Sequence, residues 1–202
     1  MYWVKTPEFV QELFPKLLCR KAGDAPCLYL TFDDGPTPEI TEWVLGLLGE
    51  YKALATFFCI GKHVETYPTL FKQIQQAGHQ IGNHSYSHFN GFSTNNEVYL
   101  ADVAKASLLI DSRLFRPPYG KLSWAQYQAL QRLYTLVLWE VMPGDFDAKV
   151  SPERCLERIL KNTRSDAIIV LHDSLKCAKT LRFVLPKVLA HYANLGWKFL
   201  PL

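Results

Sequence analysis

The stretch Tyr29-Leu30-Thr31-Phe32-Asp33-Asp34-Gly35-Pro36 is an apolar run that stops at two adjacent acids and then at a Gly-Pro break. It predicts a buried strand that delivers two carboxylates to its C-terminal tip. Side chains alternate faces along a strand, so neighbouring acids ordinarily diverge; a turn at Gly35-Pro36 lets the backbone aim both at one spot. Two carboxylates at one spot repel unless a cation takes one and a proton the other.

On either side of this strand, helical and strand patterns alternate. Thr6-Pro7, followed by Phe9, Val10, Leu13, Phe14, Leu17 and Leu18 at helical spacing, predicts an N-terminal helix packed on the main body. After the first strand, Thr37 as cap and Pro38 as first residue predict a helix to about Glu50. A strand near 55–60 follows, then a helix over 67–77 that Gly78 ends, then a short strand over 80–82. Thr94 with Glu97 and Ser123 with Gln126 have capping-box spacing for two further helices, with a strand over 112–116 between them. Strand 135–141, a helix opened by Ser151-Pro152, strand 167–171, a helix bent or begun late by Pro186, and strand 197–200 complete the chain. Seven short apolar strands alternating with helices imply a parallel α/β fold covered on both faces, a barrel or an open sheet.

The 202 residues, 49% of them apolar and 13% aromatic, suffice for one substantial core. A single domain over 1–202 is expected, with 1–24 as a helical extension. The formal charge of +3 is small and its lysines and arginines are scattered, so no nucleic-acid partner is indicated. No apolar run approaches the roughly 20 residues that span a bilayer, so no integral membrane span is expected. The N-terminus shows no charged start leading into an apolar segment, so the chain as it stands reads as cytoplasmic unless it is trimmed from an exported protein. Five widely spaced cysteines without a C-x-x-C pair argue against a disulfide framework or a structural zinc site.

The unusual polar residues fall just after the strands: Asp33 and Asp34, then His84 and His88, Arg116, Asp145, and His172 with Asp173. In parallel α/β folds that edge is where sites are built. His84 and His88 are four apart, so a helical turn or a helix-like loop puts both imidazoles on one face. With Asp34 converging, two histidines and one carboxylate can hold a divalent metal and leave a position open, as catalytic sites do. Asp33 can then take the proton of a water whose pKa the cation lowers, and His172 can supply one from the opposite side. His63 falls in a loop beside the cleft without an assigned role. His79 reads as structural, His191 and Lys121 as surface groups, and Trp124 and Tyr127 as helix core.

The motifs Thr31-Phe32-Asp33-Asp34-Gly35-Pro36, Asn83-His84-Ser85-Tyr86-Ser87-His88, Arg116-Pro117-Pro118-Tyr119-Gly120 and Val170-Leu171-His172-Asp173 resemble, in order and spacing, those of the polysaccharide deacetylases, the NodB-like carbohydrate esterases. The resemblance covers roughly Cys27 to the C-terminus. It implies a distorted (β/α) barrel of about seven parallel strands and metal-dependent removal of acetyl groups from sugars. Carried over, Asp34, His84 and His88 would bind the metal and Asp33 would be the general base, held by Arg116. Asp145 would pair with both Arg116 and His172, the general acid. The Tyr119 backbone N–H would stabilise the oxyanion, and Val170 would help form the pocket for the acetyl methyl. Zinc suits these ligands best, with cobalt, nickel or manganese also compatible.

Where the family commonly has an acid, this chain has Met142; Phe146 stands for a Trp, and Val170 for a Leu. These changes bear on substrate shape more than on catalysis. The expected substrate is an N-acetylated glycan or oligosaccharide of peptidoglycan or chitin type. The alternatives are an O-acetyl esterase using the same residues, and a glycan-binding module that kept the fold and lost turnover. Neither the oligomeric state nor the particular glycan is legible in the sequence.

Overall fold

The computed structural model describes residues 2–21 and 26–202; the parts of the expected extension at Met1 and 22–24 lie outside the described residues. Among the described residues eight strands form one sheet: β1 (Leu17–Leu18), β2 (Cys27–Asp33), β3 (Thr56–Cys59), β4 (Gln80–Asn83), β5 (Leu114–Phe115), β6 (Thr135–Val137), β7 (Ala167–His172) and β8 (Lys198–Phe199). Every pairing between them is parallel, in the order β1-β6-β5-β4-β3-β2-β7, with β8 beside the first residues of β2. Past β6 the chain meets β7: the Glu140 and Val141 N–H groups donate to the Ile168 carbonyl, and Val170 N–H donates to Val141 O. The sheet thereby curls into a distorted barrel, as the motif resemblance implies, with helices outside.

The seven expected strands are β2 to β8, and β1 is an addition. The helix expected through Leu18 stops at Leu13 as α1 (Glu8–Leu13). Pro15 accounts for this, since it disfavours helical geometry at Phe14, which sits at φ −129° and ψ 70°. Leu17 and Leu18 then pair with Leu136 and Val137 instead of extending the helix.

Alternation along the strands sorts the core. Leu28, Leu30 and Phe32 of β2 and Ile169 and Leu171 of β7 pack outward under the helices. Cys27, Tyr29, Ile168, Phe58 and Val137 point to the barrel interior. Leu28, Leu30 and Phe32 are completely buried, each stabilising the fold by roughly 1.5–3 kcal/mol. By the same alternation Thr31 and Asp33 fall on the interior face, which is how this strand aims its first carboxylate into the barrel mouth.

The remaining helices are α2 (Ile40–Glu50), α3 (Gly61–Thr66), α4 (Pro68–Gln76), α5 (Asn96–Ser107), α6 (Trp124–Leu130), α7 (Pro152–Asn162) and α8 (Ala178–Asn194). Ser123 with Gln126 and Ser151 before Pro152 cap α6 and α7 as expected, and Gly78 takes the left-handed conformation after α4. Two caps differ. Glu39, not Thr37, closes a reciprocal box with Glu42 at α2, and the Asn95 side chain, not Thr94, accepts the first N–H groups of α5. Both are shifts of one or two residues toward a better-placed acceptor. The last helix begins at Ala178 and runs through Pro186, and His63 lies in α3, not in a loop. Among the described residues no helix is long and apolar enough to cross a membrane.

Candidate metal centre and active site

Arg116, completely buried, ties the interior of the barrel together. Its Nη1 donates to Asp33 Oδ1 at 2.6 Å and to Thr31 Oγ1 at 2.7 Å. Nη2 donates to Leu138 O at 2.7 Å and Nε to Val137 O at 3.4 Å, while the guanidinium lies 4.1 Å from the Phe58 ring centroid. With Oδ1 held in this way, Asp33 turns Oδ2 toward His84, whose Nε2 is 3.9 Å away.

Alternation would send Asp34 away from Asp33. Asp34 itself makes the turn, at φ 80°, one residue before the Gly-Pro break expected to do so. Its Oδ1 comes within 3.3 Å of His88 Nε2 and 3.8 Å of His84 Nε2. His84 Nδ1 donates to Arg116 O at 2.7 Å, which leaves the Nε2 lone pair facing the carboxylate. Burial pushes the His84 imidazole down to about 4, so it is neutral at physiological pH. Burial alone would raise the Asp34 carboxyl, but His88, His172 and His84 hold it well below the usual carboxylate range. Asp34 Oδ1 is nevertheless buried without a hydrogen bond of proper geometry.

A buried carboxylate oxygen facing an imidazole lone pair, with a second imidazole beside it, is what a divalent cation would complete. Three such donor atoms, all within 4.8 Å of one another, form a set that can hold a metal ion. Donors held at ~2.0–2.2 Å by a tetrahedral ion lie roughly 3.3–3.6 Å apart, close to the separations seen, so Asp34, His84 and His88 fit the ion the motifs imply.

The two histidines sit on a loop, not on a helix, and that loop is braced by residues the sequence reading missed. Tyr86 and Ser87 N–H both donate to Asp102 Oδ2 at 2.9 Å, and Ser85 N–H donates to Asn83 Oδ1 at 2.8 Å. The available signal was an acid on the buried stripe of α5, among Tyr99, Val103 and Ala106. Asp173, completely buried, accepts from Gly35 N–H at 3.1 Å and pairs with the Thr41 hydroxyl, so it pins the Asp34 loop to α2. Burial, with the charges of Asp34 and Asp33, pushes Asp173 up to about 8. A Cβ at Gly35 would lie 2.2 Å from an Asp173 oxygen, which explains the glycine there. His63 Nδ1 donates to Asp34 O at 2.7 Å and braces the same loop.

On the opposite side, Asp145 Oδ1 accepts from His172 Nδ1 at 2.9 Å and Oδ2 from His172 N–H at 2.8 Å. Burial would lower the His172 imidazole, but Asp145, with Asp34 and Asp33, overrides it and raises the pKa to about 9. The expected Asp145–Arg116 pair is not formed. Both Asp145 oxygens serve His172, and the Arg116 donors go to Asp33, Thr31 and the Val137 and Leu138 carbonyls.

These ordered motifs therefore meet at one barrel mouth. The family model for polysaccharide deacetylases matches residues 20–135. The chain belongs to the polysaccharide deacetylase family. It is 34% identical over 177 residues to a peptidoglycan-N-acetylglucosamine deacetylase of Bacillus cereus, covering 84% of this chain and 83% of that protein. It is 37% identical over 154 residues to a chitooligosaccharide deacetylase of Azorhizobium caulinodans, covering 72% and 73% respectively. A peptidoglycan N-acetylglucosamine deacetylase solved in complex with 4-naphthalen-1-yl-N-oxidanyl-benzamide superposes with a TM-score of 0.88 at 27% identity, covering 98% of this chain and 95% of that one.

The positions where this polysaccharide deacetylase departs from the motif pattern lie together. Phe146 packs edge-on to His172 with ring centroids 5.2 Å apart, and Tyr2 packs against Phe146 at 5.1 Å. The Tyr2 hydroxyl donates to Asp147 Oδ2 at 3.1 Å, and Met142 N–H donates to Val4 O at 2.8 Å. The N-terminal segment is therefore part of the wall behind His172, a contribution that its helical pattern did not announce. Val170 is buried two residues before His172 on the same strand face. Tyr119 sits at φ 60° in the turn Pro118–Gly120, its ring centroid 4.7 Å from that of His88. A second trio, Asp145, His172 and Cys177, is equally compact, but burial pushes the Cys177 thiol up to about 12 and Asp145 is already saturated by His172.

Proposed function

We propose that this polysaccharide deacetylase is a metal-dependent hydrolase that removes N-acetyl groups from N-acetylated amino sugars of peptidoglycan or chitin type. The observation that carries the proposal is the convergence of Asp34, His84 and His88 on one point, with Asp33 Oδ2 beside it at 3.9 Å from His84 Nε2. The relatives' activities support the N-acetyl sugar as substrate. Bound there, a divalent ion, zinc by its ligand chemistry, supplies the positive charge that acidifies a water and polarises the acetyl carbonyl.

Asp33, oriented by Arg116, takes the proton of the attacking water through Oδ2. The Tyr119 N–H donates to the carbonyl oxygen as it gains charge, and Val170 lines the space for the acetyl methyl. His172, its Nδ1 committed to Asp145, protonates the sugar nitrogen from Nε2 as the C–N bond breaks. The products are acetate and a free amine. An amine leaves only when protonated, so His172 matters more for this substrate than for an ester.

The test is acetate release from N-acetylglucosamine oligomers by chelated protein, then after adding back zinc or cobalt. Release restored by metal is expected. Metal-loaded protein that frees acetate from acetylated xylan but none from the oligomers would move the reading to an O-acetyl esterase. Protein that binds oligomers without turnover would move it to a binding module.

The raised pKa of His172 has a pH consequence. The group is protonated below about 9, so the proton it donates is present through neutral pH and kcat falls as pH rises through that value. Asp145→Asn removes the charge that outweighs burial, and the descending limb is expected to move down by roughly 1–3 units. A pH profile of kcat with an unmoved limb would take His172 out of the acid role.

A further inference from the structure

Beside the catalytic mouth, between the N-terminal segment and α6, runs a groove of about 600 Å³. Trp3, Phe9, Phe92 and Trp124 stand at its rim, each between 50% and 69% exposed. Large aromatic side chains gathered on one surface in this way mark a binding site, and both the volume and the apolar walls are those of a small-molecule site. The groove adjoins the active site without including its metal-binding or acid–base candidates. Tyr119, whose ring packs on His88, and Met142, in the segment behind His172, belong to its wall.

The polar inventory of the groove decides what it accepts. Lys121 is the charged side chain on its wall, its ammonium 5.8 Å from the Phe92 ring centroid, and no carboxylate, side-chain amide or guanidinium lines the groove among the described residues. The Thr6 hydroxyl donates to Trp139 O, and the Tyr2 hydroxyl is bonded to Asp147 and Arg158. A sugar ring carries a hydroxyl on almost every carbon; Lys121 and the indole N–H groups of Trp3, Trp124 and Trp139 only donate, so burying a sugar here would leave most of its O–H donors without acceptors. An aliphatic chain makes no such demand.

We propose that the groove holds the hydrocarbon chain of a lipid-linked N-acetylated sugar, whose sugar reaches the Asp33 and Asp34 tips while its chain lies between α1 and α6. This rests on the deacetylase reading for the sugar end and adds the class of aglycone. Each methylene moved from water contributes a gain of about three- to fourfold in affinity, so even partial insertion of an eight-carbon chain is readily measured.

The probes are octyl and methyl N-acetyl-β-glucosaminide, with N-acetylglucosamine tetramer as the sugar-only control, all below any micelle concentration. Trp3, Trp124 and Trp139, three of the five tryptophans, line the groove, so intrinsic fluorescence reports its occupation independently of turnover. The octyl glycoside is expected to bind at least tenfold more tightly than the methyl glycoside, to shift tryptophan emission to the blue, and to have the lower KM. In Phe9→Ser/Trp124→Ala, which changes only exposed rim positions, the gap is expected to shrink to threefold or less while methyl glycoside turnover is unchanged.

Equal affinity for the two glycosides overturns the proposal. So does a tetramer that elicits the same fluorescence change, since the groove would then stack sugars. Sedimentation showing a dimer that Trp124→Ala dissociates overturns it as well, by making a second copy the occupant. Tight, chain-dependent binding with no acetate released from any probe leaves the groove assignment standing and removes the deacetylase reading. Acetate release without chain preference does the reverse.

Discussion

Replacing Asp33 by Asn is expected to lower kcat for acetate release roughly a thousandfold, within the 10²–10⁴ range that a positioned general base contributes, while the chain still folds and binds metal, at a lower thermal midpoint because the buried Arg116 loses its counter-charge. The separation of effects follows from the geometry. Asn keeps a carbonyl oxygen to accept from Arg116 where Oδ1 now lies at 2.6 Å. What changes is the other atom, Oδ2, which becomes an amide nitrogen that cannot take a proton. The three metal-binding candidates, Asp34, His84 and His88, are untouched. Measuring kcat, bound metal and thermal midpoint on the same preparation separates the possibilities. A variant that folds, binds metal and keeps more than a tenth of the wild-type rate would mean that the proton goes elsewhere.

The strand-end positions of Asp33, Arg116 and His172 were legible in the sequence because each stands directly after an apolar run, and a strand end is a local signal. Asp33, Arg116 and His172 sit on the interior face because strand alternation puts them there, and alternation is local too. The turn at Asp34 was not legible. Its φ of 80° is unusual for a side-chain-bearing residue, and it is held by contacts from Asp173, 138 residues after Gly35, and from His63. Strand β1 was hidden because Leu17 and Leu18 fit a helical period, and only Pro15 and the β6 edge make them a strand. Asp102 and Tyr2 act on the site entirely through tertiary contacts, for which spacing in the chain carries no signal. The expected Asp145–Arg116 pair failed for a related reason. Residue types say that an acid and a base can meet, but not that the side chain and backbone of His172 have already used both oxygens of the acid.

Arg116→Met is expected to be the most destabilising substitution in the site, by about 3–5 kcal/mol, the usual cost of leaving one member of a buried ion pair alone. Against a total of roughly 5–15 kcal/mol for a folded domain, such a loss shifts a urea midpoint unmistakably. Met has nearly the right length and lies well against Phe58, so a cavity is not the main term. The cost arises instead from what loses a donor: the Asp33 carboxylate, the Thr31 hydroxyl and the Val137 and Leu138 carbonyls. Thr31 still donates to Ile169 O at 2.8 Å, so its share is small. That leaves the charge of Asp33 against the two carbonyls, and a double-mutant cycle separates them. If the charge dominates, adding Asp33→Asn to Arg116→Met restores a large part of the lost stability, because a neutral amide is far cheaper to bury unpaired than a carboxylate. If the double variant is as unstable as Arg116→Met alone, the carbonyls carry the cost, and Arg116 is a fastener of the β6 end before it is a partner of Asp33. Arg116→Lys adds a third reading: it returns the charge without the planar fork, so it should recover stability through Asp33 yet leave the carbonyls unpaired. Urea midpoints ordered Met, then Lys, then wild type would show both contributions at work, with the Met-to-Lys step measuring the charge and the Lys-to-wild-type step the geometry.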